Sequence, residues 1–166
     1  MKRMDWKKLA VCLAACFAAA AIGSVFTAPA ITGWYASLAK PWFSPPDWVF
    51  SPVWSLLYLL MAFAAYLVWM RGFGKHEVRE ALVWFGCQLV LNSVWSYLFF
   101  GLRSPVYGFI GIVFLWIAIA FTLAKFHAID KRAALLMEPY LAWVSFAALL
   151  NYTVMLMNCG SAEARA

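Results

Sequence analysis

Five long runs of apolar residues set the pattern of this chain. They cover about residues 9–29, 51–70, 81–102, 104–124 and 133–157. Each is long enough to cross a hydrocarbon core of about 30 Å at about 1.5 Å per helical residue. Polar and charged residues fall between the runs, and only Glu138 puts a charge inside one. The pattern predicts an all-α membrane protein, a bundle of five transmembrane helices forming one domain over residues 1–166. In the first run Ala15, Ala19 and Gly23 lie four apart, which predicts a nearly bare helix face for close packing. That run has the basic start and small-residue end of a secretory signal, and Leu13-Ala14-Ala15-Cys16 has the form of a lipoprotein cleavage box. The apolar sequence continues well past Cys16, however, which reads as a spanning helix.

The stretch between the first two runs has a different character. Pro29 is expected to end the first helix, and Pro41, Pro45, Pro46 and Pro52 each lack an N–H and constrain the residue before them. Residues 30–50 therefore read as a stiff capping loop, and Ser51-Pro52 as the cap and first turn of the second helix. Trp34, Trp42, Trp48 and Trp54 give this region rigid rings with one N–H each, suited to a membrane–water boundary or to the mouth of a ligand pocket.

Composition places the chain in a bilayer, with 66% hydrophobic and 12% charged residues among 166. The formal charge of +6 would suit nucleic acid in a soluble protein, but its distribution points elsewhere. Ten of the 13 basic residues (Lys2, Arg3, Lys7, Lys8, Arg71, Lys75, Arg79, Lys125, Lys131 and Arg132) fall on one side of the predicted spans; Lys40, Arg103 and Arg165 fall on the other. The positive-inside rule then predicts a cytoplasmic N-terminus, an external C-terminus and an outward-facing capping loop, in a multi-pass protein of the cell membrane that does not bind nucleic acid.

Chemistry-bearing residues are few. Trp54, Tyr58, Met61 and Ala65 share one stripe of the second helix by helical spacing. Asn92 lies near the middle of the third, with Trp95 and Ser96 a turn further on. A buried amide in hydrocarbon needs a partner, so Asn92 either bridges two helices or meets a ligand. The fourth helix, with Gly108 and Gly111, reads as structural. In the fifth, Glu138 reads as a first-turn carboxylate favoured by the helix dipole, and Asn151 falls at the depth of Trp54, Trp95 and Ser96. Cys12, Cys16 and Cys87 lie in apolar runs and Cys159 near the surface, a distribution of packing residues rather than a disulfide framework. There is no phosphate-binding glycine loop and no Cys/His zinc spacing. His76 and His127 fall in loops, so no spanning histidine offers an axial ligand for haem iron; a flat, metal-free ring suits the aromatic interior better.

The pattern Trp34-Tyr35, Leu38, Lys40-Pro41, Pro45-Pro46, Phe50, Val53-Trp54, Leu57-Tyr58 resembles the translocator protein family, also called TspO/MBR or tryptophan-rich sensory proteins. The resemblance continues through Leu91-Asn92, Trp95 and Phe99-Phe100-Gly101, then Pro139-Tyr140-Leu141-Ala142-Trp143, Ser145-Phe146-Ala147 and Leu150-Asn151-Tyr152. It implies a five-helix bundle, commonly a homodimer, that binds protoporphyrin and other flat hydrophobic ligands under the first loop without a required cofactor. Trp54 and Trp143 match tryptophans that some bacterial relatives need for light-dependent oxidative breakdown of protoporphyrin. Trp34, Pro45 and Asn92 match other positions around the family pocket. Animal members associate with sterol through a leucine, tyrosine and basic residue in the fifth helix; here Leu150 and Tyr152 are present, but no Lys or Arg occurs in the next five positions.

The expected site is therefore Trp34, Pro45, Trp54, Tyr58, Asn92, Trp95, Ser96, Trp143 and Asn151, serving a porphyrin-binding receptor or sensory protein. A photo-oxidative enzyme would use the same pocket, with Trp54 and Trp143 as electron partners. A tetrapyrrole or lipid transporter ranks below both, since five spans show no inverted repeat and no pair of broken helices.

Overall fold

The computed structural model describes residues 4–163, with side chains as far as Asn158. Helix α1 spans Trp6–Ala30 and runs on through a π-helical turn at Ile31–Tyr35. Helix α2 spans Asp47–Trp69, and α3 spans His76–Ser96 with a second π-helical turn at Tyr97–Gly101. Helices α4 (Pro105–Ile129) and α5 (Lys131–Glu163) complete a bundle in which all five elements are long and apolar enough to cross a membrane. Each helix packs against two principal neighbours, and the contacts close a ring in the order α1, α2, α5, α4, α3.

The helix starts follow local chemistry. Asp5 caps α1 by accepting from the Lys8 N–H at 3.2 Å, and Ser104 caps α4 by accepting from Tyr107 at 3.3 Å with Pro105 at the first position. At the basic end of the bundle, Asp130 is the corner post. It accepts from the Arg132 N–H at 3.0 Å as the cap of α5, and from Arg71 Nε and Nη2 at 3.0 and 2.7 Å. Burial acts to raise its pKa, but the hydrogen bonds from Arg71 and Arg132 outweigh that and hold the carboxyl below its ordinary value.

The proline readings need correction. Pro29 and Pro52 both lie inside helices, so α1 continues past the expected stop at Pro29 and α2 begins at Asp47, four residues before Ser51. The irregular part of the capping loop shrinks from 30–50 to about 38–46. In hydrocarbon the flanking backbone has no water to turn to, so a helix absorbs one missing N–H rather than unwinding. Pro139 is carried inside α5 in the same way.

Two further readings change. Ala15 is exposed, and the packed face of α1 is Cys12, Cys16, Ala19 and Gly23; Ser93 Oγ donates to the Ala19 carbonyl at 3.2 Å, and a Cβ on Gly23 would sit 3.0 Å from Ser96 Oγ. Glu138 is the eighth residue of α5, outside its first turn, and is exposed on the exterior of the bundle. Among the described side chains Cys12 and Cys16 are buried and Cys87 is exposed, all three unpaired; the side chain of Cys159 lies outside the described residues.

Candidate functional site

A cavity of about 370 Å³ lies at the loop end of the ring, bounded by α1, α2, α3 and α5. Most of its walls come from the straight helices, and the two π-helical turns add to them at the loop end. Ile31 and Tyr35 come from the first turn, Phe99 and Phe100 from the second. Wide turns of this type displace side chains from the regular helical register and cluster at functional sites. Exposed small residues of α1 and α2, Ser24, Ala28, Ser51 and Ser55, line one flank, so the cavity opens sideways between those helices.

The rings around it pack in tilted, edge-to-face and stacked pairs. Trp54 lies 5.7 Å from Tyr58 and 6.1 Å from Tyr140, and Trp95 stacks on Phe99 at 5.8 Å. Helix α4 contributes no lining residue, but Gly108 makes the wall possible: a Cβ there would collide with the Phe99 ring.

Polar groups divide into two sets. Deep in the bundle, Tyr58 OH donates to Asn92 Oδ1 at 2.5 Å and Asn92 Nδ2 donates to Tyr140 Oη at 3.0 Å. Tyr140 OH donates onward to Gln88 Oε1 at 2.9 Å, and Gln88 Nε2 reaches Met61 Sδ at 3.9 Å. This chain crosses α2, α3 and α5 and engages both heteroatoms of the Asn92 amide. Nearer the loop, Trp95 Nε1 and both amide atoms of Asn151 are buried with no hydrogen-bond partner among the described residues, and both residues line the cavity; Trp143 Nε1 is likewise buried and unpartnered among them, but outside the lining. Each such group costs about 1–3 kcal/mol if left unmade, so the second set is the one with bonds to offer a ligand.

The matched family description is TspO/MBR family, and the match runs over residues 12–157. The chain belongs to that family. The tryptophan-rich protein TspO of Chlorobaculum tepidum is 45% identical over 150 residues, covering 90% of this chain and 95% of that one. The tryptophan-rich sensory protein of Cereibacter sphaeroides is 37% identical over 163 residues, 98% and 99% of the two chains. The human translocator protein is 38% identical over 141 residues, 84% and 83% of the two. Family membership and the five apolar helices together make this a multi-pass membrane protein.

Of the residues expected from the sequence, the structure brings Trp54, Tyr58, Asn92, Trp95, Ser96 and Asn151 to the walls of one cavity. Trp34, Pro45 and Trp143 stand outside that lining. Trp34 meets Phe99 edge-on at 5.5 Å from behind, and Trp143 meets Phe50 at 5.9 Å, so each supports a ring that does face the cavity. Pro45 sits half-buried in the loop. Trp42 and Trp48 are exposed, at 95% and 73%, and neither lines the cavity. Sequence reasoning passed over Gln88, although it lies one helical turn from Asn92 and so shares its face. It also passed over Tyr35 and Phe99 as lining, because nothing in an apolar run marks where a π turn redirects a ring, and Phe17, one apolar residue among many in α1.

Proposed function

We propose that this TspO/MBR-family protein is a receptor that holds a flat tetrapyrrole of the protoporphyrin type in the cavity beneath loop 38–46. The observation that supports this reading is the pairing of aromatic walls with the unpartnered polar atoms of Trp95 and Asn151. Ligand sites of about 300–1,000 Å³ are lined mostly by apolar and aromatic side chains, with a few polar groups that fix orientation. The flank between Ser24 and Ser55 gives a flat ring an edgewise way in. Purified protein titrated with protoporphyrin should show saturable quenching of tryptophan fluorescence at micromolar ligand. Quenching that rises linearly without saturating would reject the proposal.

The orientation of the bundle belongs to the same proposal. The uneven distribution of basic residues favours a cytoplasmic N-terminus and an external loop 38–46, in the cell membrane. A reporter fused after Met157 should be active outside the cell, and one inserted near Gly74 active inside. The reverse pattern would place the cavity mouth on the cytoplasmic side.

A further inference from the structure

We propose that Lys40 is the residue that recognises a carboxylate of the bound ligand at the mouth of the cavity, exchanging its loose partner Asp47 for the ligand. The inference rests on the tetrapyrrole reading above and adds the class of substituent that the site selects.

Loop 38–46 is pinned at its start. The side-chain amide of Asn158 pairs with the Ala39 backbone in both directions: Ala39 N–H donates to Asn158 Oδ1 at 3.1 Å, and Asn158 Nδ2 donates to the Ala39 carbonyl at 3.0 Å. That clasp anchors the residue before Lys40 to the end of α5. The ammonium then lies 4.1 Å from the centroid of the Tyr35 ring and 3.9 Å from Asp47 Oδ1. Tyr35 and Asp47 both line the cavity, so Lys40 stands at its rim.

The contact with Asp47 is long. A charge-assisted hydrogen bond runs at about 2.7–2.9 Å, and the Arg71–Asp130 and Lys125–Glu80 pairs of this same protein both close to 2.7 Å. Lys40 makes no hydrogen bond in the described structure, so its three N–H donors are held near the cavity by the ring face and a distant carboxylate. Its side chain is only 22% exposed. A partly desolvated ammonium with unused donors gains more from a carboxylate at hydrogen-bond distance than from Asp47 at 3.9 Å. Among the described residues Asp47 is the only charged one in the lining, and its carboxylate both competes for Lys40 and repels a ligand acid. The two residues should therefore act with opposite sign.

The test compares protoporphyrin, which carries two carboxylates, with its dimethyl ester, using tryptophan quenching in non-ionic detergent so that no anionic lipid headgroup competes. Wild type should prefer the diacid. Lys40→Met should lose about tenfold in affinity for the diacid and leave the ester unchanged, while Asp47→Asn should gain severalfold for the diacid alone. Equal effects of either substitution on diacid and ester would overturn the inference and leave the tetrapyrrole reading standing. A wild-type protein that binds neither compound would remove both.

Discussion

Asn92→Leu is expected to destabilise the ligand-free protein by about 2–3 kcal/mol while the folded fraction keeps near wild-type affinity for a tetrapyrrole. The substitution conserves approximate size and removes the amide that accepts from Tyr58 and donates to Tyr140. Both hydroxyls are on buried residues, so each is left to find a new partner or go without. Single inter-helix hydrogen bonds in membranes average only about 0.6 kcal/mol. The larger figure is expected because Asn92 is the centre of a chain joining α2, α3 and α5, and its removal also frees the Tyr140 to Gln88 link to shift. Thermal unfolding in detergent, with binding measured on the protein that remains folded, checks both halves. A variant that melts like wild type but binds tenfold more weakly would return Asn92 to direct ligand contact.

Asn151→Leu should do the reverse. Both Asn151 amide atoms are buried without a partner among the described residues, so replacing them by an apolar side chain of similar volume removes an unmet cost. The ligand-free protein should be as stable as wild type or slightly more so. Affinity for protoporphyrin should fall about tenfold, the equivalent of about 1.4 kcal/mol, because the ligand loses a donor and an acceptor at once. Trp95→Phe should show a smaller loss of the same kind, since one N–H is removed and the stack on Phe99 is kept. If Asn151→Leu instead lowers the melting temperature and spares binding, the amide has a structural role and the candidate site contracts to its aromatic walls.

The contrast between the two asparagines shows where sequence reading stops. Both are polar residues in apolar helices, and their depth in the membrane follows from counting residues. What separates them is whether a hydroxyl from another helix arrives within 3 Å. Tyr58 and Tyr140 are 34 and 48 residues away from Asn92, and only the packing of α2 and α5 against α3 brings them in. Trp143 shows the same limit. Its identity matches the family pattern, yet its ring packs against Phe50 and stays out of the cavity lining, a distinction set by how α5 packs in the bundle.

The amino-acid sequence by itself determined the solvent, the number of helices and the family. These depend on properties summed over many residues, such as apolar length, the distribution of basic residues and a dispersed set of aromatic and proline positions, which no local irregularity can overturn. It did not determine where proline breaks a helix. Pro29 and Pro52 have the same missing N–H as Pro45 and Pro46, and only a backbone held in hydrocarbon between neighbouring helices makes continuation cheaper than a turn. The π-helical turns at Ile31–Tyr35 and Tyr97–Gly101 follow the same logic. They redirect Tyr35, Phe99 and Phe100 toward one point, and that convergence is decided by tertiary packing because Tyr35 follows α1 while Phe99 and Phe100 follow α3, so the rings meet only when the two turns pack side by side.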